Sequence, residues 1–252
     1  MPPTVVVTVS VGTLPGLVEA LRRVPLPVEE HPLLSFAPPQ DWRPLDRALD
    51  TVARYDAVAL TSPRAARALA ERWQPRGGGG PSLPPVWAGG PGTVAALADV
   101  LSEVHSPSAK EVGERGSAAA LAAAMIQAGV RGPVLFPCGE IRREELTTRL
   151  QHEGIEVEEI VCYRSVLAGE TAARAAAERA GILVVASPSV ADLLARTCLP
   201  GARPALVAVG PTTAASARAS GWAPDAVATR PTVEALVATV RSLIGPGQGV
   251  RE

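Results

Sequence analysis

The sequence predicts an α/β protein of two similar lobes. Each lobe is a parallel sheet flanked by helices, and two extended connectors join them around a ligand cleft. Three observations predict this. First, the stretch around Val184–Ala215 holds two short apolar runs, Leu183–Ala186 and Ala205–Val209, which break at Ser187-Pro188 and Gly210-Pro211. An alanine-rich segment with helical spacing follows each break, so Ser or Gly is read as the N-cap and Pro as the first helical residue. Strand, tight turn and helix in succession build a parallel sheet, whose ligand sites lie beyond the carboxyl ends of its strands. Second, the phrase occurs earlier in the chain. Ser62-Pro63 echoes Ser187-Pro188, and Gly90-Pro91-Gly92-Thr93 echoes Gly210-Pro211-Thr212-Thr213. Ser117 and Thr232 then open a third helix in each half, so an ordered pattern occurs twice. Third, two extended segments, Val28–Phe36 and Ile155–Val166, frame the first copy.

In chain order, β-branched Val5–Ser10 reads as a buried strand, and Leu17, Leu21 and Val24 mark a helix. Val28–Phe36, interrupted by Pro32, suits an edge strand or crossover, and Ala37-Pro38-Pro39 a linker. Leu45, Ala48, Leu49 and Val52 recur at helical spacing. Ala57–Thr61 is the strand entering the first Ser-Pro turn, and Gly77–Pro85 is a surface loop. Glu103–Ser106 is expected to form a short strand and Lys110–Gly116 a loop. Ala118–Phe136 reads as a core helix and then a strand, with Gln127 and Arg131 ruling out a membrane span. Glu140–His152 reads as a helix capped by Gly154. The lobe at 37–163 is therefore expected to be an insertion in a lobe made of 1–34 and 167–252. Residues 33–37 and 160–167 would be the hinge connectors.

A chain of 252 residues with 47% hydrophobic side chains can bury two cores, built from Val, Leu and Ala because aromatics reach only 3%. A formal net charge of −1 argues against a nucleic-acid partner held by phosphate contacts. Lys110 is the one lysine available for Schiff-base chemistry. Cys138, Cys162 and Cys198 form no CxxC and read as reduced thiols of a cytoplasmic protein. His31, His105 and His152 show no metal-ligand spacing, and the start MPPTVVVTVS lacks the basic region of a signal peptide. Gly90–Ala95 formally matches G-x-G-x-x-A, but it follows a strand deep inside the chain. The next strand ends near Ser106 without an acid for a ribose, which argues against a nicotinamide dehydrogenase.

Six loose motifs in order carry a resemblance: Leu60–Arg64, Ala88–Thr93, Leu135–Arg143, Gly154 with Cys162-Tyr163-Arg164, Ala186–Ser189 and Ala208–Thr213. Together, from Val5 to Leu243, the chain resembles the uroporphyrinogen-III synthase family. The resemblance implies hydroxymethylbilane as substrate and uroporphyrinogen III as product, with no cofactor and no metal. The first ring loses its hydroxyl, and the last is attacked at its substituted carbon, giving a spiro intermediate, and is inverted before closure. The family often has an arginine after the threonine that ends the first strand. Here the run is Thr8-Val9-Ser10, without that charge. The family also usually carries a larger apolar residue at the position of Gly89.

Such a polycarboxylate needs positive potential, which the net charge does not supply. The four proline-initiated helices offer free N–H groups and partial positive charge at their N-termini. Thr61, Ser62, Thr93, Ser187, Ser189, Gly210, Thr212 and Thr213 are therefore substrate-binding candidates, the alternative for each hydroxyl being helix capping. Arg64, Arg142, Arg143 and Arg164 are candidate carboxylate partners through bidentate pairing. Cys138 and Gly139 join the binding set from the LFPCGEIRR motif, although Cys138 itself reads as a packing residue. Tyr163 is the candidate acid: its phenol, with an ordinary pKa of about 10, stays protonated at neutral pH and can donate to a departing hydroxyl. The resemblance points to the same tyrosine. A cytoplasmic monomer is expected, with the substrate handed over from hydroxymethylbilane synthase. The rival reading is a non-catalytic tetrapyrrole or small-anion binder on the same two-lobed frame.

Overall fold

The computed structural model describes residues 3–74, 82–115 and 117–244. In chain order the elements are β1 (Val5–Val7), α1 (Leu17–Leu21), β2 (Val28–Glu30), β3 (Leu34–Ala37), α2 (Arg43–Asp50), β4 (Ala57–Leu60), α3 (Pro63–Trp73), β5 (Val86–Ala88) and α4 (Pro91–Ala95). They continue with α5 (Ala109–Arg115), α6 (Ser117–Gln127), β6 (Val134–Gly139), α7 (Glu145–His152), β7 (Val157–Leu167), α8 (Glu170–Arg179) and β8 (Ile182–Val185). The last are α9 (Pro188–Thr197), β9 (Ala205–Ala208), α10 (Pro211–Ala219), β10 (Ala226–Val227) and α11 (Val233–Ile244). The chain divides into two compact units, Met1–Ser35 with Val166–Glu252, and Phe36–Ser165.

The first unit carries a parallel sheet in the order β10-β9-β8-β1-β2. One face packs with α8, α9 and α10 through Leu183, Val185, Val190 and Leu194; the other packs with α1 and α11 through Val5, Val7, Leu21 and Leu236. The second sheet runs β3-β7-β6-β4-β5, and β4 through β7 are parallel. Here α2 and α3 cover one face through Leu49, Leu69 and Leu135, while α6 and α7 cover the other through Leu121, Leu146 and Phe136. Both faces of each sheet are buried, which explains why the central strands are continuously apolar rather than alternating.

The same order recurs in both sheets. Strand β1 lies between β2 and β8, and β4 lies between β5 and β6. The helix after β1 packs on the opposite face from the helix after β8, and α3 packs opposite α7. At such a reversal the following helices diverge and leave a crevice at the strand ends.

All four proline-initiated helices begin where the sequence places them, at Pro63, Pro91, Pro188 and Pro211. Other boundaries differ. Val28–Phe36 is two strands, split around Pro32. The predicted strand at Glu103–Ser106 reduces to one bridge between His105 and Trp87. Of the loop expected at Lys110–Gly116, Lys110 to Arg115 are helical instead, in α5 (Ala109–Arg115), and Gly116 lies outside the described residues. Ser108 accepts from the Glu111 N–H at 3.3 Å, and Glu111 accepts from the Ser108 N–H at 2.7 Å, a reciprocal capping box. The helix expected from Glu140 starts at Glu145, because the Glu140 N–H is taken by the Tyr163 carbonyl at 3.0 Å and core-facing residues begin only at Leu146. Most of the loop expected at Gly77–Pro85 lies outside the described residues.

Helix α7 ends as predicted at Gly154, with φ of 74°. Gly154 donates to Gln151 O at 3.0 Å and Ile155 to Leu150 O at 3.1 Å, while Ile155 and Leu150 are both buried. This is a Schellman ending, and the left-handed backbone selects glycine there. Gly154→Ala is expected to destabilise the protein by about 1 kcal/mol, read as a lower midpoint in thermal unfolding.

Candidate functional site

In the second unit the crevice between the ends of β4 and β6 forms a cavity of about 260 Å³. Its walls are Thr61 and Ser62 after β4, Gly139 at the end of β6, Ile141, Arg142 and Arg143 in the following loop, Ala118, Glu145 and Leu146 on the flanking helices, and Tyr163 on β7. The structure thus brings together Thr61, Ser62, Gly139, Arg142, Arg143 and Tyr163, which stand up to about a hundred residues apart in sequence.

Strand β7 delivers Tyr163. Its ring meets Phe36 edge-on, with centroids 5.9 Å apart, and the Arg64 guanidinium lies over the Phe36 ring at 3.4 Å. Burial pushes the Arg64 pKa down from its ordinary value. Arg142 is ion-paired with Glu159, which also accepts from the Thr147 hydroxyl, so its charge is already matched. Arg164 donates to the Pro38 carbonyl at 3.0 Å. Ser62 accepts from the Ala65 N–H at 3.2 Å and so consumes one of the donors at the start of α3.

In the first unit, β8 and β9 end at the starts of α9 and α10. Ser187 occupies the N-cap but does not cap; its hydroxyl lies 2.9 Å from that of Ser189. Gly210 has no side chain to cap α10, and Thr212 is exposed. Val9 is buried among Val7, Leu17 and Val209, so an apolar contact stands where the family often has an arginine.

Three candidate side chains lie deeper than the others. Cys138 is 2% exposed and its thiol points to the Ile160 carbonyl at 3.6 Å, within the core. Thr93 and Thr213 are each 4% exposed, so most of each side chain is packed against its neighbours. α4 has only five residues, which leaves little helix dipole at Pro91–Thr93. Sequence reasoning missed Ile141, which is 73% exposed at the cavity, and Phe36. An isolated apolar residue between Glu140 and Arg142 was the available signal for the first. Phe36 offered none, being one apolar residue in an extended run.

The match that decides the family spans most of the chain: the model described as Uroporphyrinogen-III synthase HemD covers residues 16–238. The chain belongs to the uroporphyrinogen-III synthase family. The uroporphyrinogen-III synthase of Synechococcus elongatus is 27% identical over 166 residues, 64% of this chain, and the matched stretch spans 60% of that relative. A mutant uroporphyrinogen III synthase from the extremely thermophilic bacterium Thermus thermophilus superposes with a TM-score of 0.65 at 16% identity, covering 96% of this chain and 98% of that one. The Helicobacter pylori uroporphyrinogen-III synthetase gives 0.60 at 20% identity, covering 96% and 100%. At these identities the solved structures speak to the fold, and it is the family's fold. Among the described residues no helix is long and apolar enough to cross a membrane, and no cluster of His, Cys, Asp and Glu could hold a metal.

The thiols differ in access. Cys162 is 1% exposed, and burial pushes its pKa up to about 12; Cys138 is also raised, again mainly by burial. Cys198 is half-buried. Cys198 is expected to react first with a thiol reagent, and the other two only on unfolding. The unfolded Cys162 thiol ionises before the folded one, so stability should fall as pH rises from about 9 towards 12. Denaturation midpoints across that range, in wild type and Cys162→Ala, check this.

Proposed function

We propose that the protein cyclises hydroxymethylbilane to uroporphyrinogen III with loss of water. The observation that carries the proposal is the Tyr163-walled cavity at the β4–β6 strand ends in a member of this family. The reaction is redox-neutral. The departing hydroxyl takes a proton and leaves as water, and a carbon–carbon bond forms at the substituted carbon of the last ring, giving the spiro intermediate. The older bond from that carbon to its bridge then breaks, and the ring inverts. The bridge carbon rejoins at the ring's unsubstituted carbon, and the proton lost there balances the one given to the hydroxyl.

Each residue has a role drawn from its surroundings. Tyr163 donates the proton to the leaving hydroxyl. Thr61 and the Ser62 turn hold substrate carboxylates beside it, with Arg143 and the Arg64 guanidinium as the nearby positive charges. Ser187, Ser189, Gly210 and Thr212, at the starts of α9 and α10, take further carboxylates in the first unit. Holding one flexible polyanion by several of its carboxylates would make the chemistry mainly a matter of positioning. On the same reading the protein works as a cytoplasmic monomer and receives its substrate from hydroxymethylbilane synthase. Arg142 supports the wall through Glu159.

The test supplies fresh hydroxymethylbilane and resolves the products by isomer. Isomer III formed faster than spontaneous closure is expected. Isomer I alone, at the uncatalysed rate, would overturn the proposal in favour of the non-catalytic binder. Tyr163→Phe is expected to lower kcat by roughly 10²-fold, with folding unchanged by circular dichroism. Full turnover by that variant would remove Tyr163 as the acid.

A further inference from the structure

We infer that Gly139, together with the bulge beside it, aims Tyr163 and is a positioning residue for the reaction; this rests on Tyr163 being the proposed acid. The register between β6 and β7 carries the argument. Cys138 pairs with Val161, but Gly139 pairs with Tyr163, so β7 holds one extra residue, Cys162. An extra residue changes the phase of the side chains that follow it, and such bulges re-aim a side chain. Tyr163 is the first residue beyond it. The bulge is tied on both sides: the buried Cys162 thiol donates to the Cys138 carbonyl at 3.3 Å, and the Tyr163 carbonyl accepts from the Glu140 N–H at 3.0 Å.

The phenol then lies directly across Gly139. A Cβ at that position would stand 2.6 Å from the Tyr163 Cζ and 2.8 Å from its hydroxyl oxygen. Ordinary carbon contacts lie near 3.5 Å, so the ring tip would have to move by about 1 Å. The backbone gives no other reason for a glycine, since Gly139 is not among the residues with positive φ. What the missing Cβ provides is space for the phenol at the cavity wall. The atoms in conflict are the far end of a side chain. Gly139→Ala therefore displaces the phenol and leaves the strand in place.

Tyr55 and Tyr163 are the two tyrosines of the chain, so 3-fluorotyrosine incorporation yields two fluorine resonances, which Tyr163→Phe assigns. In Gly139→Ala the Tyr163 resonance is expected to shift while that of Tyr55 stays. kcat should fall about 10- to 100-fold, with KM within about twofold. Adding Gly139→Ala to Tyr163→Phe should cost no further kcat, because no phenol remains to be aimed. Gly139→Ala paired with Tyr163→Ser should melt as Tyr163→Ser alone does, since no ring then meets the new methyl. An unmoved resonance, or kcat losses that multiply in the double variant, would overturn the inference whatever Tyr163 does. Full turnover by Tyr163→Phe would overturn it from the other side, by removing the acid.

Discussion

A parallel strand pair whose following helices depart on opposite faces cannot close over its own carboxyl ends. The second unit depends on that constraint. α3 leaves β4 towards the face with Leu49 and Leu69, and α7 leaves β6 towards the face with Leu121 and Phe136. The gap that remains is walled by whatever residues stand there. Gly139 contributes emptiness, Thr61 and Ser62 contribute hydroxyls, and Tyr163 arrives from the next strand. The first unit repeats the divergence at β1 and β8, with the apolar Val9 after the end of β1.

What was legible in the sequence follows from where local chemistry was decisive. Proline lacks an N–H and has a fixed φ, so a small residue followed by proline after an apolar run announces a helix start, and all four such helices begin there. The repeat was legible for the same reason. The capping box at Ser108 and Glu111 was equally local and was overlooked beneath the charge and glycine of the segment. The late start of α7 was not legible, because it depends on a hydrogen bond from Glu140 to a residue in another strand.

The site divides along the same line. Tyr163, Thr61 and Ser62 could be named from motifs that survive as short phrases. The burial of Thr93 and Thr213 could not, since a residue's depth depends on helices that pack over it from elsewhere in the chain, whereas Cys138 already read as a packing residue. The state of each arginine was hidden too. Arg142 is paired with Glu159 and Arg64 lies on Phe36, partners that spacing does not disclose. The bulge at Cys162 is a fact about register between two strands, and no single strand records it.

The division of the chain has a consequence for synthesis. Strand β1 sits in the middle of its sheet, between β2 and β8, and Thr8 bonds to Val184. Once the chain has left the ribosome as far as Leu167, every strand of the second sheet, β3 to β7, is available, and that unit can bury its core. The N-terminal segment has no central neighbour until Ile182–Val185 follows. The middle of the polypeptide therefore matures ahead of its beginning, and the newborn Val5–Val7 stretch waits as an apolar strand with an unpaired edge.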